Sequence, residues 1–138
     1  MKGFTIEQLS VGQSASFSKT ITETDVYLFA GVTGDLNPAH INEEYAKDTI
    51  FKGRIVHGML SAGLISAVLG MYLPGPGTIY LKQDLKFTAP VRMGDTVTAT
   101  CTVKEIIQEK NRVILECTAV NQDGTVVISG EAHVLAPK

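Results

Sequence analysis

Asp35 and His40 stand five positions apart in the stretch Gly34-Asp35-Leu36-Asn37-Pro38-Ala39-His40. A carboxylate bonded to water can take its proton, and an imidazole, which ordinarily titrates near neutrality, can hold or return one. By spacing alone the two describe a turn-forming aspartate and a surface histidine. Their setting argues for more. Gly34 and Pro38 fix the turn and Asn37 can bond its backbone, so the loop is specified more closely than a connection requires. Asp35 and His40 are therefore the candidate catalytic pair.

A second segment, Arg54-Ile55-Val56-His57-Gly58-Met59-Leu60-Ser61, opens a long apolar run. At a helix start the backbone N–H groups have no intrahelical acceptor, so the Gly58 N–H is a candidate donor to a developing oxyanion. Without a Cβ, Gly58 would let a ligand approach the backbone. His57 beside it reads as a cap or packing residue. Ser61 and Ser66 would by default bond carbonyls of the preceding turn. Lys82, Lys86 and Arg92 read as a solvated face that could also meet the phosphates of a nucleotide-like ligand. His133 lies in a strand far along the chain and carries no role. The three histidines show no metal-binding spacing, so no metal is expected. There is no G-x-S-x-G nucleophile motif, and Gly31-x-x-Gly34 follows no strand, so no dinucleotide site is expected.

These residues need a scaffold. Ala15, Phe17 and Ile21 alternate with Ser14, Ser16, Ser18 and Thr20, which predicts a strand over 13–21. Thr22 with acidic residues behind it caps a short helix carrying Val26, Phe29 and Ala30 and ending at Gly31 to Gly34. Asn42 caps a second, finishing near Thr49, and Lys52-Gly53 reads as a loop. Val56 to Leu73 is apolar nearly all round, as expected of a central buried helix, and Pro74-Gly75-Pro76-Gly77 ends it. Four alternating segments follow, with turns at Lys110-Asn111 and Asp123-Gly124, and read as an antiparallel meander. The sum is an α+β domain with a helix packed on one face of the sheet.

At 138 residues the chain has the size of one domain, and no linker divides it. A net charge of −2 supplies no basic field for nucleic acid. Cys101 and Cys117 fit strand interiors as free thiols, as in a reducing cytoplasm. Neither a signal peptide nor a membrane span is expected.

The turn 34–40, the segment Ile55-Val56-His57-Gly58-Met59-Leu60, and Tyr80 to Val91 with Gly94-Asp95 together resemble the MaoC-like hot-dog family, specifically its (R)-specific enoyl-CoA hydratases. The likeness covers almost the whole chain as one domain, 1–138. It implies a sheet wrapped round a central helix, and a homodimer in which two sheets run on as one. By motif it implies Asp35 and His40 as the pair that activates water, Gly58 as backbone donor to the thioester oxygen, and Ser66 as a hydroxyl near the pair. The implied reaction is reversible syn hydration of a trans-2-enoyl-CoA to the (R)-3-hydroxyacyl-CoA. It needs no cofactor, because coenzyme A is part of the substrate. Two alternatives remain: a dehydratase on acyl-carrier-protein or on branched or dicarboxylic acyl-CoA substrates, and a non-catalytic acyl-CoA-binding module.

Overall fold

The computed structural model describes residues 1–138. Strand β1 (Ser14–Thr20) alternates exposed serine and threonine with half-buried residues, as its sequence requires. Helix α1 (Glu23–Thr33) follows a reciprocal cap: the Thr22 hydroxyl accepts from the Asp25 N–H, and the Asp25 carboxylate accepts from the Thr22 N–H at 2.9 Å. It ends at Gly34, whose φ of 81° is left-handed. The single turns α2 (Pro38–Ile41) and α3 (Glu43–Ala46) are capped by Asn37 and Asn42, each accepting from a backbone N–H with its side-chain oxygen. The sequence pattern had predicted α3 and its cap but not α2, where the turn chemistry of Asn37-Pro38 also starts a helix.

Helix α4 (Gly58–Met71) crosses the concave face of the sheet, packed on β1, β3 (Thr96–Ile107) and β4 (Arg112–Val120). Gly63 and Gly70 weaken it intrinsically by about 1 kcal/mol each relative to alanine. Burial compensates: Leu64, Ile65, Val68 and Leu69 enter a core with Val97, Cys101, Leu115 and Ile128. Each such side chain contributes about 1.5–3 kcal/mol of transfer free energy when fully buried. The helix is not surrounded as its composition suggests. Met59, Gly63, Ser66 and Gly70 form an exposed face.

The five strands run in the order β1-β3-β4-β5-β2, all antiparallel. The expected meander holds for β3, β4 and β5 (Val126–Leu135) and fails for β2 (Ile79–Phe87), which pairs with β5 at the far edge. The 88–95 segment makes this possible by crossing from β2 towards β1: Val91 accepts from the Val56 N–H, and Gly94 and Asp95 exchange hydrogen bonds with Ile21. Gly130 of β5 meets Leu85 of β2 where an added Cβ would lie 2.0 Å from the Asp84 carbonyl oxygen, so close strand approach needs glycine there. Across β1 and β3 the outward hydroxyls pair directly, Ser16 with Thr100, Ser18 with Thr98 and Thr20 with Thr96, at 2.6–2.7 Å. Cys101 and Cys117 face each other across β3 and β4 as buried free thiols. A sheet folded over one long helix is the hot-dog arrangement.

Candidate active site

The turn between α1 and α2 is built as its residue types dictate. Thr33 Oγ1 accepts from the Asp35 N–H, Asp35 Oδ1 from the Asn37 N–H at 3.3 Å, and Asn37 Oδ1 from the Ala39 N–H at 3.0 Å. One Asp35 oxygen is thus held by the turn and the residue is exposed, leaving its carboxylate open to water.

His40 is half-buried, and its Nδ1 lies 2.8 Å from the Ile55 carbonyl oxygen. A carbonyl can only accept, so Nδ1 carries the proton and Nε2 of the neutral ring presents a lone pair. That tautomer is what a base needs. The Ile55 N–H in turn donates to the Ala39 carbonyl at 3.2 Å, so one residue grips the 39–40 segment by both of its backbone groups.

His57 belongs to the site more closely than its sequence position suggests. It is 1% exposed, and its Nε2–H donates to the Asp35 carbonyl at 2.9 Å, which ties the turn to the start of α4. Its ring lies under His40 with centroids 3.9 Å apart, and Phe29 packs on it at 4.8 Å. Its Nδ1 is buried without a partner, as is Ser61 Oγ one turn along. His57 is structural, as expected, but what it supports is the turn that carries the candidate pair. Asp35, His40 and His57 each bring one ligand-type atom within 4.8 Å of the others. The two rings are tilted at 32° to each other, and one nitrogen of each is already committed to a backbone carbonyl.

Gly58 is the first residue of α4, and its N–H donates to no backbone carbonyl. A free donor at this helix start is as expected, but the reason for glycine is different. An added Cβ would lie 2.7 Å from the Phe87 ring, so the missing side chain makes room for β2. Ser66 stands eight residues beyond Gly58, about 12 Å of helix rise, on the exposed face of α4, and has no hydrogen bond to Asp35 or His40. It lines a groove of about 580 Å³ between α4 and β2 with Met59, Ala62, Leu81, Leu85 and Phe87. Lys82 also borders this groove and Lys86 is exposed. Arg92 departs from the solvated or phosphate-facing role read from sequence: its guanidinium donates to the carbonyls of Phe51, Gly53 and Arg54. Beside it the Arg54 guanidinium joins α1 to the site loop through Glu23 at 2.9 Å and Tyr27 at 3.1 Å. Hydrogen bonds from Tyr27 and Arg54 hold the Glu23 carboxyl below its ordinary range.

Residues 7–125 match the family described as MaoC like domain. This chain belongs to the MaoC-like family. Over 131 residues it is 61% identical to an (R)-specific enoyl-CoA hydratase of Rhodospirillum rubrum, covering 95% of this chain and 90% of the relative. It is 35% identical to a mitochondrial 3-hydroxyacyl-[acyl-carrier-protein] dehydratase of Solanum lycopersicum, covering 94% of this chain and 78% of that one. Among solved structures, the unliganded R-hydratase PhaJ1 of Pseudomonas aeruginosa superimposes with a TM-score of 0.93 at 47% identity, over 99% of this MaoC-like chain and 88% of the other.

Proposed function

We propose that this MaoC-like protein is an (R)-specific enoyl-CoA hydratase, adding water reversibly and syn across a trans-2-enoyl-CoA to give the (R)-3-hydroxyacyl-CoA. The observation that carries this reading is the convergence of the Asp35 carboxylate with a His40 ring whose Nδ1–H is committed to Ile55. A water held between Asp35 and His40 Nε2 gives its hydroxyl to C3 and its proton to the pair, and C2 receives a proton on the same face. Enolate-like charge on the thioester oxygen is met by the Gly58 N–H, a donor of a kind worth about 3 kcal/mol in the transition state. Every step uses groups of the chain and the substrate, so we assign no cofactor and no metal. The acyl chain lies along the groove that Ser66 lines.

The groove is open on one side, and β2 beside it is an edge strand with Leu81 44% and Ile79 56% exposed. A homodimer joined edge to edge through β2, extending one sheet into the next, covers both. We place it in the cytoplasm, in keeping with its free buried thiols. No helix is long and apolar enough to cross a membrane.

Hydration of crotonyl-, hexenoyl- and octenoyl-CoA, followed by ultraviolet loss of the enoyl thioester with chiral analysis of the product, tests the reading. Turnover to the (R) product is expected, with Asp35→Ala and His40→Ala nearly inactive but folded. An (S) product, or wild-type turnover in both variants, overturns it. Parallel assays on crotonyl-acyl-carrier-protein separate the second reading, a carrier-protein dehydratase, which the tomato relative's name favours. Binding without turnover on either carrier would leave an acyl-CoA-binding module.

A further inference from the structure

We infer that Arg92 is a positioning residue for His40, acting through the loop 51–54 and the Ile55 carbonyl; this rests on His40 being the base of the proposed reaction. The path is continuous. The Arg92 guanidinium donates through Nη1 to the Gly53 carbonyl at 3.3 Å and to the Arg54 carbonyl at 3.5 Å, and through Nη2 to the Phe51 carbonyl. These carbonyls belong to a turn in which Lys52 takes φ +60°, a conformation a lysine adopts only when its surroundings hold it. The next residue is Ile55, whose carbonyl accepts the His40 Nδ1–H.

Arg92 itself sits on a firm base. Its N–H donates to Asp95 Oδ2 at 2.8 Å, the Asp95 N–H returns to its carbonyl at 3.0 Å, and the neighbouring Val91 carbonyl holds Val56 at 2.8 Å. The guanidinium therefore transmits the position of the 91–95 turn to the loop that feeds the histidine. A planar fork of several donors can serve carbonyls on one loop together, which the single ammonium of lysine matches less well. Each of these side-chain hydrogen bonds ends on a carbonyl oxygen. A residue there to bind substrate phosphate would keep its fork free, and this one does not.

The consequence is specific to chemistry rather than binding. When the clamp is removed, the Ile55–Val56 peptide keeps its bond to Val91 but loses the support of loop 51–54, so the Ile55 carbonyl shifts against His40, the Nδ1–H bond weakens, and the ring samples the tautomer with the proton on Nε2. A misplacement of about 1 Å in such a group can cost on the order of a hundredfold in rate.

The test compares R92Q and R92K with the wild type by steady-state hydration of crotonyl-CoA. It adds two-dimensional ¹⁵N–¹H spectroscopy of the histidine side chains, which reads the tautomer without turnover. Expected are a kcat lower by about tenfold or more, a KM within about twofold, and a His40 signal shifted from the single Nδ1–H tautomer towards a mixture. R92K should lie between R92Q and the wild type. A raised KM at unchanged kcat would mean that the guanidinium serves the substrate, and would overturn the assignment. So would a lost kcat with the His40 tautomer unchanged. Should R92Q fail to fold, R92K decides alone: wild-type kcat and tautomer in a folded R92K refute the clamp. The tautomer readout separates failure of this inference from failure of the hydratase reading, because it holds whether or not crotonyl-CoA is turned over.

Discussion

Gly58→Ala sets two effects against each other, and the structure decides between them. Alanine at a helical position is favoured over glycine by up to about 1 kcal/mol. Against this, its Cβ would stand 2.7 Å and 2.8 Å from two carbons of the Phe87 ring, which must retreat by about 0.7 Å to an ordinary 3.4 Å contact. Either the ring or the start of α4 gives way. The helix start is tied by Val56 to Val91 and by His57 to Asp35. Phe87 is 51% exposed on an edge strand, so the ring moves. A side chain pushed off its rotamer costs about 0.5–1.5 kcal/mol, so the net change in stability should stay within about 1 kcal/mol. Phe87 lines the groove, so the acyl chain should feel the shift: KM for hexenoyl-CoA should rise severalfold while kcat stays within about threefold, because the Gly58 N–H has not moved. Restoring space with the double substitution G58A/F87A should return KM towards that of F87A alone in a double-mutant cycle. A hundredfold loss of kcat at unchanged KM would show that the helix start moved instead and would refute the reasoning, as would zero coupling with Phe87.

Gly130→Ala should destabilise the fold by about 3 kcal/mol or more, read by urea denaturation or as insoluble protein, because the added Cβ meets backbone at 2.0 Å and neither strand can yield without losing register. Leu81→Glu on the exposed edge should convert the proposed homodimer to a monomer by size-exclusion chromatography at micromolar concentration, with activity lost. Thr22→Ala should lower stability by about 1 kcal/mol through loss of the α1 cap, measured by thermal unfolding. The Asp25 carboxyl is held below its usual 3.8 by the Thr22 N–H and then by Lys19. Its contribution is therefore full above the unfolded value and lost as pH falls through the lowered folded one. Asp25→Asn should accordingly lose stability at pH 7, and the gap from wild type should close below about pH 4 in urea melts.

What could be read from sequence was local. The Thr22 cap, the Asn42 cap, the Asp123-Gly124 turn and the 34–40 turn each depend on side chains bonding backbone within a few residues, so the residue types suffice. The place of β2 depends on pairing with β5, about 40 residues later, and alternation in a strand says nothing about its partner. The same limit hid the parts of the site joined over distance: Phe87 against Gly58, His57 beneath His40 and bonded to Asp35, Arg92 over the carbonyls of 51–54. The motif resemblance carried Ser66 forward as a neighbour of the pair. Within the chain it lines the groove and makes no hydrogen bond to Asp35 or His40. The exposed face of α4 was equally illegible, since an all-apolar helix gives no sign of which side its own chain leaves uncovered.

The strand order also has a consequence for synthesis. Residues 79–87 leave the ribosome before the strand they must pair with exists, and at about 5–20 residues per second the wait for β5 lasts roughly two to eight seconds. During that interval Ile79, Leu81, Leu85 and Phe87, with Gln83 among them, lie beside an open ladder, a ready template for a neighbouring nascent chain. Lys82, Asp84 and Lys86 alternate with them. These charges keep the waiting strand in solution and apart from its copies until β5 arrives.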